Sequence, residues 1–331
     1  MAILRNILFA FSALCLTGCF ETFEPLAGSE PVLCINSVIT AGETISVEVT
    51  HTWRVDSPDG DRRDRYVDDA IVSVYVNGEL KDKDYVAREG DNIHIEVTSN
   101  TYGRAEADVT VPVACPVTVS GVTPTSVFAY AGEESDYYIG FGLRARLSIA
   151  DRAGENNYYV FGSNTYMDYT GDNYWYSGAR LYGGTLDADA EPIFSEHIGV
   201  TESVFGFDAD GFTFFTDKQF SGKNYSLNLR YSDISYTSEP GYGYDDVPPC
   251  GIELIVYTVS ESYYNWLSYL WQVNSGYVGN VGDVGFCDPA WGYSNVSTGA
   301  GVVAARSKSS ATIVLTDFLQ EELDKVRQTA E

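Results

Sequence analysis

Alternation of apolar and polar residues is the dominant pattern along this chain, and it predicts β-strands. In "TISVEVTHTW" (44–53), Ile45, Val47 and Val49 fall on one face, and polar residues lie between them. A period of two residues places alternate side chains on opposite faces of a strand. The same alternation occurs in "VLCINSVI" (32–39), "NIHIEVT" (92–98) and "RAEADVTV" (104–111).

A hairpin signal adds to this pattern. "AIVSVYVNGEL" (70–80) runs as a strand into Asn77-Gly78, a dipeptide typical of two-residue hairpin turns. Together these segments predict about six strands in residues 32–114. We therefore expect an Ig-like or transthyretin-like β-sandwich there.

The remainder, residues 115–331, predicts a larger β-rich domain, either a sandwich or barrel-like. The fold class expected for the whole chain is therefore all-β. The strands predicted in this part are 138–149, 157–167, 174–183, 212–217, 223–231, 252–259 and 311–316.

Two segments of this larger domain predict helices instead. In "SESYYNWLSYLWQVN" (260–274), Ser260 is a candidate N-cap, and polar residues form only a narrow stripe, which indicates a packed helix over about 261–274. At the C-terminus, Leu319, Leu323 and Val326 give a short amphipathic stripe, which predicts a docked helix.

The start of the chain predicts a lipid anchor. Residues 1–18 combine a positive Arg5 with an apolar run that is shorter than the about 20 residues needed to span a bilayer. Leu16-Thr17-Gly18-Cys19 resembles the bacterial lipobox, in which the cysteine thiol is diacylated, for example with palmitate, and the peptide bond before the cysteine is cut. We expect residues 1–18 to be a signal peptide and 19–31 a tether. An ordinary signal peptide is the alternative.

Phe20 follows the cysteine where an aspartate favours retention in the inner membrane, so we expect a lipid-anchored protein of the outer membrane. The sequence leaves open whether the protein faces the periplasm or the cell surface. The net charge of −27 argues against binding to nucleic acid and against lying flat on anionic lipid. It favours a soluble body that meets a basic surface on a partner.

Four cysteines remain after the predicted cleavage, and an even number in an exported protein suggests two disulfides. We expect Cys34–Cys115 and Cys250–Cys287, because the first pair would close the sandwich at its boundary with the larger domain and the second would lie within the larger domain. Buried free thiols are the alternative.

Motifs for catalysis, metals and cofactors are missing from the sequence. It contains neither a zinc-ligand spacing nor a GxSxG nucleophile motif. Asp187-Ala-Asp189 and Asp208-Ala-Asp210 do not complete a calcium loop and are more typical of turns. We therefore expect no enzyme activity, no cofactor and no metal site.

The densest aromatic stretch is "YMDYTGDNYWYSGARLY" (166–182). Alternation alone would expose some of its rings, and tyrosine and tryptophan stack on sugars or peptides at little entropic cost. We therefore name Tyr174, Trp175, Tyr176 and Tyr182 as candidate binding residues for a glycan or peptide. Packing within and between sheets is the alternative.

Five stretches occur in an order that resembles a known family. They are "VDDAIVSVYVNG", "LSIADRAGENNYYVF", "FTDKQFSGKNYSLNL", "VYTVSESYYNWLSYL" and "WGYSNVSTGAGVVAA". With the lipobox, they resemble the Bacteroidota outer-membrane lipoproteins of domain of unknown function family 4249. The resemblance implies a neighbouring gene for a TonB-dependent outer-membrane transporter, and it implies no catalytic residues.

These observations favour a binding or accessory lipoprotein that assists a TonB-dependent transporter in nutrient capture. A structural or adhesive surface module without a small ligand is the alternative. A hydrolase is the least favoured reading, because nothing in the sequence selects a pair of carboxylates.

Overall fold

The computed structural model describes residues 30–53, 66–132, 137–168, 179–187, 191–194, 213–238, 246–274 and 292–330. Strands dominate them, which confirms the all-β fold class. The strands are β1 (Leu33–Thr40), β2 (Glu48–His51), β3 (Ile71–Val76), β4 (Glu79–Lys81), β5 (Asn92–Ser99), β6 (Gly103–Thr110), β7 (Val117–Ala131), β8 (Tyr137–Ala150), β9 (Tyr158–Met167), β10 (Arg180–Tyr182), β11 (Thr185–Leu186), β12 (Thr213–Thr216), β13 (Asn224–Ser238), β14 (Cys250–Val259) and β15 (Ala300–Val314).

A six-stranded sheet joins the beginning and the end of the chain. Its strand order is β12-β9-β14-β15-β1-β2. The strands β1 and β15 are parallel, and their register runs from Cys34 opposite Ala300 to Thr40 opposite Arg306. The other strand pairs of this sheet are antiparallel.

Two further sheets pack on one face of the six-stranded sheet. A five-stranded sheet, ordered β10-β13-β8-β7 with β11 paired to β13, covers the end formed by β9 and β14. Its core contacts include Leu143 and Leu229 on one side and Phe161 and Leu254 on the other. A four-stranded sheet, ordered β4-β3-β5-β6, shares a second core with β1 and β15.

Two α-helices complete the described residues. The helix α1 (Glu261–Asn274) covers the opposite face of the six-stranded sheet, where Tyr263 and Leu267 are buried. The helix α2 (Thr316–Ala330) buries Leu319 and Leu323 against the larger core. Both predicted helices are confirmed, and α1 has the predicted bounds of 261–274.

Most predicted strands are also confirmed. Of the strand predicted at 174–183, only β10 at Arg180–Tyr182 is observed, and residues 174–178 lie outside the described ranges. Two further differences concern the last strand and β7. The last strand was predicted as 311–316, whereas β15 already begins at Ala300 and ends before α2. Its first half is rich in alanine and glycine, which are depleted in strands, and it is a strand because it pairs with β1 from Ala300 to Arg306. The strand β7 was not predicted because it contains Pro124, which an edge strand tolerates.

The predicted boundary between residues 114 and 115 does not separate the sheets. Six strands do lie in residues 32–114, but β1 and β2 belong to the six-stranded sheet, together with β14 and β15. The core under the four-stranded sheet also contains Val303 and Ala305. The first part of the chain is therefore completed by its last strand.

The predicted Cys34–Cys115 disulfide is absent, because both thiols are free. Leu33 and Ile35 point into the core, so Cys34 between them points to the opposite face of β1. Cys115 lies in the core between the six- and five-stranded sheets, so the six-stranded sheet separates it from Cys34. Cys250 is also a free buried thiol, and its expected partner Cys287 lies outside the described residues.

Candidate functional site

One face of the five-stranded sheet points away from the core and carries aromatic and cationic side chains. Along β8, Leu143, Ala145 and Leu147 point inward, so Arg144 and Arg146 between them point outward. Directly opposed residues of paired strands share a face, so the register extends this surface across β7, β13 and β10. We call this surface the outer face.

Three rings, those of Phe128, Tyr130 and Tyr138, form a contiguous aromatic patch on the outer face. The ring centroids of Tyr130 and Tyr138 are 5.2 Å apart, and those of Phe128 and Tyr138 are 5.7 Å apart. Phe128 is 55% exposed and Tyr130 is 53% exposed. Exposed rings of this kind offer a large contact area with little loss of conformational entropy, which suits them to recognition.

Tyr182, one of the residues named from the sequence, lies on the same outer face. Tyr182 on β10 pairs with Ser235 on β13, and Ser235 pairs with Gly140 on β8. Gly140 pairs in turn with Phe128 on β7. These four residues therefore form one row across four strands. Tyr182 is 48% exposed, so its ring is available for contact.

The other named binding residues, Tyr174, Trp175 and Tyr176, lie outside the described residues. The proposed lipid attachment site, Cys19, also lies outside them. Their roles stay predictions.

Two glycines of β8 lie beneath neighbouring side chains in a groove beside the aromatic patch. A Cβ atom on Gly140 would lie 2.3 Å from Cζ of Phe128, and one on Gly142 would lie 2.7 Å from Oγ1 of Thr125. Glycine at these two positions therefore lets the neighbouring side chains lie directly over the backbone of β8. The groove has a volume of about 510 Å³ and also borders on Arg144.

Two arginines lie directly opposite each other along the groove. Arg144 on β8 is paired with Arg230 on β13, and both side chains are exposed. Arg230 Nη1 is 3.5 Å from Oδ2 of Asp187. Among the described residues, Arg144 has neither an ion pair nor a side-chain hydrogen bond. Like charges directly opposite on a sheet are unfavourable by themselves, so this pair is suited to an anionic ligand.

Backbone irregularities border the groove on both sides. The register of β7 shifts between Thr125 and Phe128, and that of β13 shifts between Tyr231 and Ile234. At the second shift, Asp233 has a positive φ of 60°, and its carboxylate accepts a hydrogen bond of 2.8 Å from the hydroxyl of Ser232. Bulges redirect side chains and are frequent next to functional sites.

A second cleft, of about 660 Å³, lies where the four-stranded sheet, the start of β9 and the start of α1 meet. Its carboxylates are each engaged by a neighbour. Oδ1 of Asp108 is 2.9 Å from Nδ1 of His94, and Oε1 of Glu155 is 3.7 Å from Nη2 of Arg152. Burial, together with the charge and hydrogen bond of Glu261, raises the pKa of Tyr158. These polar side chains therefore interact with one another at the boundary between structural elements.

A buried polar network lies under the five-stranded sheet. The hydroxyl of Tyr159 donates a hydrogen bond to the carboxylate of Asp151 and is 3.0 Å from Sγ of Cys115. Burial, reinforced by these hydrogen bonds, raises the pKa of Tyr159 far above its usual range. Burial also raises the pKa of the Cys115 thiol, so the group stays protonated and unreactive at neutral pH. We assign this network to packing.

Sequence reasoning missed the aromatic patch and the arginine pair. The signal for Arg144 was present, because "LRARL" alternates like the other strands. The facing residue, Arg230, lies far away in the sequence, and only the register of β8 and β13 brings the two together.

Neither described helix is both long and apolar enough to cross a membrane. Within the described ranges, no group of three or more histidine, cysteine, aspartate or glutamate side chains is arranged to hold a metal ion.

Comparison with curated proteins and with solved structures found no match. A comparison with protein families matched residues 21–312 to "Domain of unknown function (DUF4249)". The match includes every described strand up to the last residues of β15 and ends before α2. Because it covers most of the chain, the protein belongs to the DUF4249 family.

Proposed function

We propose that this protein is a lipid-anchored outer-membrane protein that binds a ligand or partner through its outer face and assists a TonB-dependent transporter in nutrient capture. The observation that carries the proposal is the outer face itself. Its aromatic patch and its four exposed arginines lie on one sheet surface of a strongly acidic chain; the arginines are Arg144, Arg146, Arg180 and Arg230.

The anchor rests on the lipobox at Leu16–Cys19. Acyl chains there would hold the protein at one leaflet through about 0.8 kcal/mol for each buried methylene group. A partner in the same membrane is then met at a high effective concentration, so even a weak contact surface suffices.

The choice of partner rests on the resemblance to Bacteroidota outer-membrane lipoproteins. We propose binding rather than catalysis, because the carboxylates of the second cleft already interact with neighbouring side chains.

Crosslinking in intact cells, followed by affinity isolation from outer membranes, tests the partnership. We expect a TonB-dependent transporter to be recovered with the native protein and to be lost when Tyr130→Ala and Tyr182→Ala are combined. Tyr66→Ala is the matched control, because Tyr66 is a 57% exposed tyrosine outside the five-stranded sheet. Each side chain is exposed, so all variants should fold.

Recovery of no transporter would contradict the proposal and favour the structural or adhesive alternative. Equal recovery with the double variant and with the Tyr66 control would show that the outer face is not the contact surface. Replacement of Cys19 by alanine tests the anchor separately. That variant should leave the membrane in a carbonate wash, and retention would contradict the lipid attachment.

A further inference from the structure

We propose that the groove on the outer face binds a carbohydrate that carries a carboxylate, such as an oligosaccharide of uronic acids. This inference rests on the proposed function, in which the outer face is the recognition surface, and it adds the chemical class of the ligand. Three features of the groove carry it: its size, its charge and its aromatic wall.

The size of the groove fits a short sugar chain. Its volume of about 510 Å³ lies within the range of about 300 to 1,000 Å³ that is typical of small-ligand sites. At Gly140 and Gly142 the side chains of Phe128 and Thr125 lie over the backbone of β8, so these side chains form the floor of the groove. The ring of Phe128 offers an apolar surface on which one face of a sugar ring can stack.

The charge of the groove fits a carboxylate. Arg144 and Arg230 are directly opposite, with side chains leaving the sheet about 5 Å apart at their Cβ atoms. Asp187 pairs with Arg230, and Asp233 also borders the groove, so the two arginines and two aspartates balance in charge; Arg144 is the cation without an ion pair among the described residues. A ligand carboxylate between the two guanidinium groups would relieve their repulsion and accept two charge-assisted hydrogen bonds.

The remaining wall fits sugar hydroxyls and ring C–H groups. Phe128 and Tyr138 present an apolar surface on which the C–H face of a pyranose can lie. Asp233 accepts one hydrogen bond from Ser232, and its carboxylate retains acceptor capacity for ligand hydroxyls. Thr125 adds a further hydroxyl at the groove.

Calorimetric titration of the purified full chain with trigalacturonate tests the inference. Its methyl ester is the matched ligand, because it keeps the rings and hydroxyls but removes the charge. We expect trigalacturonate to bind at least about tenfold more tightly than the ester, since hydrogen bonds between charged partners are among the strong ones. Raising the NaCl concentration from about 20 mM to about 300 mM should weaken the binding of trigalacturonate more than the binding of the ester.

Two charge-removing variants locate the site. Arg144→Gln should weaken trigalacturonate binding by at least about tenfold and leave binding of the ester unchanged. Arg146→Gln is the control, because Arg146 lies on the same strand and face but outside the groove. Circular dichroism verifies the fold of each variant. If Arg144→Gln does not fold, Arg230→Gln is the second variant for the same measurement.

Three results would overturn the inference: no binding of trigalacturonate, equal binding of acid and ester, or equal loss with both arginine variants. Binding of triglutamate in place of trigalacturonate would assign the groove to acidic peptides and would also overturn it. None of these results touches the proposed partnership, which the crosslinking experiment with Tyr130 and Tyr182 tests independently.

Discussion

Ser260 connects the start of α1 to the six-stranded sheet, and its replacement by alanine should destabilise the protein. The Ser260 hydroxyl accepts a hydrogen bond of 3.3 Å from the backbone N–H of Tyr263, as an N-cap does. The same oxygen accepts a second hydrogen bond, of 3.0 Å, from the backbone N–H of Ala305 on β15. One side chain therefore satisfies two donors that belong to different elements.

The expected loss follows from both bonds. Loss of an N-cap costs about 1 kcal/mol. Ala305 is fully buried, and a buried donor left without an acceptor costs about 1 to 3 kcal/mol more. We therefore expect Ser260→Ala to lower the free energy of unfolding by about 2 to 4 kcal/mol.

Urea denaturation of the native and variant proteins measures this loss, and amide hydrogen exchange locates it at Tyr263 and Ala305. Ser260→Thr keeps the hydroxyl and should recover most of the stability. Ser268→Ala is the control in the same helix, because its hydroxyl only bonds the carbonyl of Tyr264 one turn back. A Ser260→Ala protein within about 0.5 kcal/mol of the native one would refute this reasoning, since that is the range of ordinary surface changes.

Three further predictions concern packing, thiol chemistry and domain autonomy. Gly251→Ala would place a Cβ atom 2.1 Å from the backbone oxygen of Ile313, so we expect the free energy of unfolding, measured by thermal unfolding, to fall by about 1 to 3 kcal/mol. Gly183→Ala is the control, because its nearest contact would be at 3.4 Å and its stability should not change. Burial raises the pKa of the Cys250 thiol to about 11, so labelling of the native protein by iodoacetamide should be slow at pH 8 and accelerate toward pH 11; fast labelling at pH 8 would contradict this. A fragment of residues 30–114 should lack a cooperative unfolding transition, because β15 supplies part of its core and pairs with β1; a cooperative transition would show that this part folds alone.

The local elements were predictable because each has a pattern within a few residues. Ile93, Ile95 and Val97 alternate with polar residues and are buried. Asn77-Gly78 forms the expected turn, with φ angles of 53° and 85°, and connects β3 to β4. Both features depend on neighbours in the sequence, so the sequence alone specifies them.

Long-range pairing was not predictable in the same way. The strands β1 and β15 lie at opposite ends of the chain, and nothing local in either indicates that they are parallel neighbours. The disulfide prediction failed for the same reason. Cys34 and Cys115 were expected to close the first predicted domain, whereas the six-stranded sheet places them on its opposite sides.

The candidate site lies between these two cases. Alternation in "GLRARLSI" is enough to predict that Arg144 and Arg146 share one face of a strand. It does not show which of them is opposite Arg230, because that depends on the register of β8 and β13. A slip of one residue would place Leu229 on the outer face, at the cost of burying polar residues in its place. The hydrophobic pattern of the inner face therefore fixes which residues point outward, and the pairing of β8 with β13 fixes which of the outward arginines meet. The core and the groove are in this sense specified together, because the residues of the inner face determine which side chains the groove can use.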